Sequence, residues 1–362
     1  MGIDFSGNSP NPTLDHHLEN LPDREGITLN RSPLISIIIP IYNGATTIGE
    51  TITSLQQQTY QNFEIWAIND GSIDDTVAVL QAINEPRLQV KSYTNAGQAV
   101  ARNRGLELAR GEYVSFIDAD DRWTPDKLAD QLAALTAHPI AAVAYSWTDH
   151  IDEASRFLRH GPQLCFEGNV FRKLLYNDFV GSGSNILVRR SALVEIGGFD
   201  PSLPPSEDWD CWLRLAQRFE FVVVPKPQIL YRVSSQSSSF NVWRMERSSL
   251  RTIQRAFANA PASAQSIRRI SLGHRYKYLT YKTVDAGCDR RRALTGVRYW
   301  LTALGYDPDL IRRRVTWKVA FKLLATLLVP HRILRGMTRR YPKVFKKLFD
   351  VEALLYRITF GD

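Results

Sequence analysis

Short apolar runs alternate with amphipathic stretches along residues 34–145, which predicts a parallel sheet flanked by helices. The first run, residues 34–39, has the composition of a buried strand, and Pro40 is expected to end it. Thr47 and Glu50 have the spacing of a capping box, which predicts a helix to about Gln58. Further strands are predicted at 63–68, 88–92 and 113–117, and further helices at 75–83, 98–109 and 125–136. These elements form one doubly wound α/β half.

Beyond residue 145 the periodicity is weaker and the predicted elements are shorter. A strand is predicted at 186–188, a helix at 207–217, and two strands at 221–224 and 229–231. From residue 240 the segments have helical periodicity and are rich in arginine. The chain is therefore predicted to hold a disordered tail (1–33), an α/β domain with a mixed sheet (34–239) and a basic, mainly helical region (240–362).

The formal net charge of +8 is unevenly distributed between these regions. Residues 1–239 hold 19 Lys and Arg against 29 Asp and Glu, whereas residues 240–362 hold 26 against 8. The basic region suits an anionic membrane surface, although helices that pack on the α/β domain with solvated basic side chains are an equal alternative. Nucleic acid is disfavoured as a partner because no known binding motif accompanies the charge.

Neither secretion nor a membrane span is predicted. Residues 1–32 lack the apolar core of a signal peptide. Lys318 and Lys322 interrupt the most apolar window, residues 315–329, so no spanning helix is expected. Cys165, Cys211 and Cys288 are odd in number and too far apart for a zinc or redox motif, so buried, reduced thiols in a cytoplasmic protein are expected.

Polar residues follow three of the predicted strands at the point where each strand ends. Tyr42 follows the first, Asp70 the second, and Asp118, Asp120 and Asp121 the strand at 113–117. Ligands of open α/β sheets bind beyond the carboxyl ends of the strands, so these side chains are expected around one crevice. Clustered carboxylates predict a Mg²⁺ or Mn²⁺ ion that also binds a diphosphate. A structural alternative is an acidic turn that caps the next helix, or an Asp-Gly turn at Asp70.

Two further motifs place charged side chains on helices. Arg102 and Arg104 follow a Gly turn, where a guanidinium could reach a phosphate or a nucleoside, and apolar neighbours favour Arg102 for this role. Glu207 and Asp208 lie in the first turn of an amphipathic helix, where acids complement the helix dipole. If that helix start faces the crevice, one of the two acids is a candidate general base for an acceptor hydroxyl.

The ordered set of motifs resembles glycosyltransferase family 2, whose members have the GT-A fold. The resemblance covers residues 36–239. The matching motifs are Pro-Ile-Tyr-Asn at 40–43, Asn-Asp-Gly-Ser at 69–72, Ala-Arg-Asn-Arg-Gly at 101–105, Phe-Ile-Asp-Ala-Asp-Asp at 116–121, Gly-Gly-Phe-Asp at 197–200, Glu-Asp-Trp-Asp at 207–210 and Tyr-Arg at 231–232.

For donor binding, the resemblance implies that Tyr42 and Asp70 hold the nucleoside, with Arg102 near it. Pro40 and Asn43 belong to the same donor-binding motif.

For the chemistry, the resemblance implies that Asp118 and Asp120 hold ribose, diphosphate and the metal ion, with help from Asp121. Asp208 would be the catalytic base, with Glu207 as the neighbouring candidate.

One position departs from the family pattern. The family often has a His two residues after the Tyr-Arg pair, close to the diphosphate, whereas this chain has Ser234 there. Arg232 and the following serines are then expected either to donate hydrogen bonds to phosphate or to belong to a lid that orders on donor binding.

The chain is therefore predicted to be an inverting glycosyltransferase that uses a nucleotide diphosphate sugar, first of all a UDP-sugar. The acceptor would be a hydroxyl of a glycan or of a lipid-linked sugar, as in cell-surface polysaccharide synthesis at the inner face of a membrane. A sugar nucleotidyltransferase is the alternative enzyme, but residues 43–50 lack the basic side chains that grip a triphosphate. A non-catalytic nucleotide-sugar or glycan-binding module is the alternative outside enzymes, and it predicts loss of the metal carboxylates or of the base.

Overall fold

The computed structural model describes residues 32–234, 241–285 and 290–329. The tail predicted for residues 1–33 lies outside the described residues except for its last two positions. Cys288, residues 235–240 and residues 330–362 also lie outside them.

A nine-stranded mixed sheet forms the centre of the described part of the chain. Its strands are β1 (Ile35–Ile41), β2 (Phe63–Asn69), β3 (Leu88–Ser92), β4 (Tyr113–Phe116), β5 (Arg122–Trp123), β6 (Ala141–Ile151), β7 (Phe157–His160), β8 (Leu187–Arg189) and β9 (Glu220–Arg232). They follow the order β3-β2-β1-β4-β8-β6-β9-β5, and β7 pairs with β6. The pairs β1 with β2, β1 with β4 and β2 with β3 are parallel, whereas β8 is antiparallel to both β4 and β6.

Helices cover both faces of this sheet and continue beyond it. They are α1 (Ile48–Gln56), α2 (Thr76–Ala82), α3 (Gln98–Leu108), α4 (Lys127–Ala137), α5 (Phe171–Tyr176), α6 (Arg190–Glu195), α7 (Glu207–Ala216), α8 (Val242–Ala258), α9 (Ala262–Gln265), α10 (Arg268–Asp285), α11 (Arg290–Tyr306) and α12 (Arg314–Leu328). A 3-10 helix over Pro308–Arg312 precedes α12.

The central strand β1 is apolar because both of its faces are covered. Every residue of β1 is buried, and alternate side chains of a strand point to opposite faces of the sheet. Ile37 and Ile39 belong to the core that includes Leu55 of α1, whereas Ile38 belongs to the opposite core with Leu106 of α3. A continuous apolar run is typical of a parallel strand buried between two helical layers. The predicted α/β class is confirmed.

Two local predictions in this first half are wrong. Pro40 does not end β1 but lies inside it, in register with Ile68 of β2. Because β4 pairs only with Ile35–Ile38, the other edge of β1 is unpaired at this point and a residue without an N–H is tolerated. Thr47 does not cap α1, since its hydroxyl donates a hydrogen bond to the carbonyl of Ala119 at 2.9 Å.

The second half departs further from the sequence prediction. The eleven-residue strand β6 was not predicted, because Ala142, Ala144 and Ser146 give it a composition that strands disfavour. The two short strands predicted at 221–224 and 229–231 are one strand, β9, whose pairing with β6 shifts register beside Ser146 and Trp147. The expected burial of the cysteines holds for Cys211 and is wrong for Cys165, which is exposed.

The C-terminal helices contact the α/β core and also build a core of their own. Ile253 and Phe257 of α8 lie in the core that contains Trp212 of α7. Trp300 of α11 and Leu323 of α12 belong to a separate cluster together with residues of α10. No described helix is both long and apolar enough to cross a membrane. The boundary at residue 240 stays a prediction.

Candidate active site

Two adjoining clefts open beside the carboxyl ends of β1, β2 and β4. The first cleft is lined by residues that follow these strands and by the turn that precedes α3. The second cleft is lined by residues 177–183, by the start of α7 and by α10. Five residues line both clefts: Gln98, Asp118, Pro205, Glu207 and Tyr231. The two clefts therefore share a wall that carries two carboxylates.

Pro40, Tyr42 and Asn43 line the first cleft. Tyr42 is 54% exposed, so its ring is available to a ligand. Asn43 has a φ of 54°, in the left-handed region that Asn tolerates better than most residues. Its Oδ1 accepts a hydrogen bond from the backbone N–H of Ile73 at 2.9 Å. The turn after β1 is thereby fixed against the turn after β2.

Asp70 is buried in the first cleft and organises the turn that begins α3. Its Oδ1 accepts a hydrogen bond from Ala96 N at 3.0 Å, and its Oδ2 accepts one from Gly97 N at 2.7 Å. Gly97 has a φ of +94°, which a residue with a side chain rarely adopts. Nη1 of Arg104 lies 3.1 Å from Asp70 Oδ1, so the arginine beside this aspartate is Arg104.

Arg102 lies in the shared wall and pairs with both of its carboxylates. Its Nη2 is 2.8 Å from Asp118 Oδ1, and its Nη1 is 3.4 Å from Glu207 Oε1. Gly183 leaves room for the guanidinium, since a Cβ at that position would lie 2.3 Å from Nη2. Arg102 lines the second cleft and not the first, and its expected place near the nucleoside stays a prediction.

Asp118 and Asp120 both line the first cleft. Oδ1 of Asp118 accepts hydrogen bonds from Gln98 Nε2 and Arg102 Nη2, both at 2.8 Å. Burial and then the negative charge of Asp118 raise the pKa of Asp120 to about 6. A carboxylate whose ionisation is made unfavourable by burial and by a second carboxylate is stabilised by a cation.

This pair of carboxylates fits a hard divalent cation. Among the described residues, no group of three or more His, Cys, Asp or Glu is arranged around a common metal position. Mg²⁺ is commonly bound by one or two protein carboxylates, with phosphates and water completing its shell. The oxygen ligands of Asp118 and Asp120 therefore fit a Mg²⁺ or Mn²⁺ ion that arrives with a diphosphate.

Asp121 is turned out of both clefts and is fully buried. Its Oδ1 accepts a hydrogen bond from Arg232 N at 2.9 Å, and its Oδ2 accepts one from Ser184 Oγ at 2.5 Å. Burial and the charges of Asp120 and Asp118 raise its pKa. Both of its oxygens bind protein donors that join β9 to the loop before β8, so Asp121 does not line the cleft of Asp120, and its role as a metal ligand stays a prediction.

Arg232 is also buried, and it lines neither cleft. Its Nε donates to the carbonyl of Asp120 at 2.8 Å, its Nη1 to Ser155 Oγ at 3.0 Å, and its Nη2 to Glu50 Oε2 at 3.0 Å. Its guanidinium fixes the turn that carries Asp120, and phosphate binding by Arg232 stays a prediction. The lid predicted after Ser234 lies outside the described residues.

The first turn of α7 carries Glu207 and Asp208. Glu207 is 3% exposed, and its Oε2 is buried without a hydrogen-bond partner among the described residues. Burial and then the charge of Asp208 raise the pKa of Glu207 to about 7. Asp208 lines the second cleft, and burial raises its pKa although Arg102 opposes the shift. A carboxylate with a raised pKa is a stronger proton acceptor once it is ionised.

The second cleft also contains residues that the sequence did not single out. Asp178 follows α5, and burial together with the charge of Asp208 raises its pKa to about 7. Arg275 of α10 lies over two rings, 5.3 Å from the centroid of Trp209 and 4.9 Å from that of Tyr278. Neither Asp178 nor Arg275 belongs to a recognisable sequence motif. The one available signal is that Arg275 and Tyr278 are three residues apart in a segment predicted to be helical, which places them on the same side of the helix.

Residues 36–283 match the protein family described as "Glycosyltransferase like family 2". A putative teichuronic acid biosynthesis glycosyltransferase of Bacillus subtilis, TuaG, is 31% identical over 226 residues, which are 59% of this chain and 85% of that protein. Uncharacterized glycosyltransferases of Rickettsia felis and Rickettsia bellii are 33% and 31% identical over 188 and 189 residues, in each case 51% of this chain. The matched segments span 31% and 27% of the length of those two relatives.

Two solved structures resemble the fold. The crystal structure of Staphylococcus aureus TarS 1–349 in complex with UDP has a TM-score of 0.52, with 19% identity over 90% of this chain and 89% of that chain. The mannosyltransferase PcManGT from Pyrobaculum calidifontis, in complex with GDP-Man and Mn²⁺, has a TM-score of 0.54, with 20% identity over 89% and 86% of the two chains.

Proposed function

Because this chain belongs to the glycosyltransferase family 2-like proteins and has a fold of the GT-A type, we propose that it is an inverting hexosyltransferase. In this proposal it moves a sugar from a nucleotide diphosphate donor to a hydroxyl group of a glycan or of a lipid-linked sugar. The observation that carries the proposal is the shared wall between the clefts. It sets Asp118 next to a donor-sized first cleft and Glu207 next to Asp208 in the second.

The first cleft would hold the donor. The exposed ring of Tyr42 can stack on a nucleoside base, and Asp70 holds the neighbouring turn through backbone hydrogen bonds. UDP is the nucleotide that we propose first, since the bound nucleotide of TarS 1–349 is UDP, although PcManGT is in complex with GDP-Man.

A divalent cation, Mn²⁺ or Mg²⁺, would be held by Asp118 and Asp120 together with the donor diphosphate. When bound, such an ion neutralises negative charge that develops on a leaving diphosphate. The protein keeps Asp118 in place through Gln98 and Arg102, and it keeps the turn of Asp120 in place through Arg232.

Asp208 is the proposed catalytic base. It lines the second cleft close to the shared wall, where an acceptor hydroxyl would face a donor sugar in the first cleft. As the hydroxyl oxygen bonds to the anomeric carbon, its proton passes to the Asp208 carboxylate and the bond to the diphosphate breaks. One displacement of this kind inverts the configuration at the anomeric carbon. Glu207, which pairs with Arg102, would keep the charge of the wall balanced.

We place the reaction in cell-surface polysaccharide synthesis at the cytoplasmic face of a membrane. The relative TuaG, which this chain covers to 85% of its length, carries a name from teichuronic acid biosynthesis. A catalytic role for residues 34–239 and a positioning role for residues 240–362 are part of the same proposal.

The membrane-facing surface would be the solvent side of α12. Four apolar side chains at helical spacing are more than half exposed there: Trp317, Phe321, Leu324 and Leu328. Exposed arginines at 312–314 precede them. An exposed apolar stripe next to basic residues is typical of helices that lie in the interface of an anionic membrane.

A nucleotide-release screen tests the function. Purified protein is incubated with Mn²⁺ or Mg²⁺ and a panel of sugar nucleotides, with and without glycan acceptors, and release of the free nucleoside diphosphate is measured. Metal-dependent release from one donor supports a transferase, and NMR of the product gives the anomeric configuration. Tight donor binding without release would favour the non-catalytic module, and pyrophosphate formation from a nucleoside triphosphate would favour a nucleotidyltransferase.

A further inference from the structure

The second cleft contains positive charge that the proposed transfer chemistry does not use. Arg275 and Lys282 of α10 both line it, seven residues apart and therefore on one face of the helix. Tyr278 lies between them in the sequence and on the same face. The guanidinium of Arg275 is 4.9 Å from the centroid of this ring, and Nζ of Lys282 is 5.8 Å from it. The two cations thus flank one aromatic ring inside the cleft.

Arg275 forms no ion pair within 4.0 Å among the described residues, although the negative charges of Asp178 and Asp208 act on its guanidinium. Its Nε is buried without a hydrogen-bond partner in the same part of the chain. The rings of Trp209 and Tyr278 make cation–π contacts with the guanidinium of Arg275. These contacts do not use its N–H groups, which point outward in the plane of the guanidinium. Arg275 is partly buried, and its buried, unpaired Nε is stabilised when a ligand supplies an acceptor.

Lys282 also forms no ion pair within 4.0 Å in the described part of the chain, and its Nζ lies over the ring of Tyr278. Arg159 of β7 lines the same cleft and donates to the hydroxyl of Tyr281 at 2.7 Å. Burial, followed by the charges of Arg159 and Lys282, lowers the pKa of His150 in this cleft to about 3. The imidazole is therefore neutral at neutral pH and does not attract an anion by its charge.

We propose that the acceptor is an acidic molecule, and that Arg275 and Lys282 bind its phosphate or carboxylate group while its reactive hydroxyl faces Asp208. This inference rests on the proposed transferase function, since it assigns the second cleft to the acceptor. The planar fork of Arg275 matches two oxygens of such a group, and Lys282 adds a second charge without fixed geometry. The rings of Trp209 and Tyr278 lie beside the guanidinium, and such less polar surroundings strengthen its attraction to an anion.

The test is a binding titration that does not need turnover. The protein is first saturated with UDP and Mn²⁺, so that the first cleft is filled. Glycerol 3-phosphate and glucuronate are then titrated separately by isothermal titration calorimetry, with glycerol and glucose as their neutral counterparts. We expect saturable binding of at least one of the two acids and at least about tenfold weaker binding of its neutral counterpart, because hydrogen bonds to charged groups are the strong ones. The two acids distinguish a phosphate from a carboxylate acceptor.

Variants then assign the site. Arg275→Gln should weaken binding of the acid about tenfold or more, and Lys282→Gln should weaken it several-fold. Arg268→Gln, which removes an exposed charge from the same helix, should leave binding unchanged. Wild-type protein that binds neither acid, or Arg275→Gln and Lys282→Gln proteins that are folded and bind like wild type, would overturn the proposal. If neither UDP nor GDP binds in the presence of Mn²⁺, the proposed function fails, and the acid titration without nucleotide still decides whether the second cleft is an anion site.

Discussion

Arg102 and Asp118 form an ion pair of 2.8 Å in the wall between the two clefts, and the same guanidinium reaches Glu207 on the other side. Arg102 is only 2% exposed, so the pair is protected from solvent and from screening by salt. Asp118 and Glu207 each line both clefts, so a change at Arg102 would alter two carboxylates that face both of them. The electrostatics of the two clefts are therefore coupled through one side chain.

Asp208→Asn should keep donor binding and lose turnover. The amide has nearly the same size as the carboxylate but cannot accept the hydroxyl proton, so we expect kcat to fall at least about 100-fold. UDP binding in the presence of Mn²⁺, measured by calorimetry, should stay within twofold of wild type. Glu153→Gln, which neutralises an exposed acid, is the matched control. Near-normal turnover of Asp208→Asn would remove Asp208 from the role of base.

Asp120→Ala and Asp121→Ala should have different effects although the residues are neighbours. Asp120→Ala should weaken Mn²⁺-dependent UDP binding about tenfold or more, with little change in the midpoint of thermal unfolding. Asp121→Ala leaves Ser184 and Arg232 without their acceptors and should cost about 1–3 kcal/mol of stability. Calorimetric titration and thermal unfolding of both variants check this. If both variants lose Mn²⁺-dependent UDP binding to the same extent and keep the stability of wild type, Asp121 is a metal ligand.

Gly183→Ala should displace the guanidinium of Arg102, because the added Cβ would lie 2.3 Å from its Nη2. We expect a stability loss of about 1–3 kcal/mol and a clear fall in kcat/KM. Gly49→Ala in α1 is the control, since nothing lies within 4 Å of the added methyl group and stability should not fall. Unchanged activity of Gly183→Ala would show that the position of Arg102 does not matter for the reaction.

Glu207→Gln should make the stability of the ligand-free protein less dependent on pH. The pKa of Glu207 is raised from 4.5 to about 7 on folding, so the folded state holds this proton longer than the unfolded state. Wild type then loses the corresponding stability as pH rises from about 4.5 to about 7, whereas the variant does not. Urea unfolding at pH 5 and pH 8 should show the variant gaining on the order of 2 kcal/mol relative to wild type. If the difference in the free energy of unfolding between the variant and wild type is the same at pH 5 and pH 8, this expectation is wrong.

Wild-type protein should bind vesicles that contain anionic lipid at low salt and bind vesicles of neutral lipid far more weakly. Trp317→Ser combined with Leu324→Ser removes apolar surface from α12 and should reduce binding about tenfold or more in a flotation assay. Leu301→Ser changes an exposed apolar residue of α11 and is the control. Protein that stays free of anionic vesicles at low salt would rule out the membrane-facing role of α12.

The first half of the fold was readable from sequence because strands β1, β2 and β4 are buried on both faces and the helices pack one apolar face against the sheet. Continuous apolar runs such as the one that contains Ile37 and Ile39 mark strands of this kind without any knowledge of their neighbours. Tyr42, Asp70 and Asp120 followed from the rule that ligands lie at carboxyl strand ends. The structure brings all three to the first cleft.

The residues whose surroundings differ from the sequence prediction share one cause. A sequence shows where a residue lies along the chain, but it does not show which side chains the residue contacts in the fold. Asp121 and Arg232 belong to the expected motifs, yet they do not line either cleft. Instead, Asp121 accepts a hydrogen bond from the backbone of Arg232 across the sheet. Asp178 and Arg275 were missed because the second cleft is made of elements far apart along the chain. Their proximity depends on how α10 packs near α5 and α7, and no local pattern encodes it.

The way α10 lines the second cleft has a consequence for how specificity can diverge among related enzymes. The donor side is built from strand ends near the start of the sheet, whereas Arg275, Tyr278 and Lys282 come from a helix that follows it. Under the proposed assignment of the two clefts, exchanging the segment after β9 between two relatives would change the recipient of the sugar and leave the choice of nucleotide intact. One ancestral donor-binding half could in this way serve many different glycans.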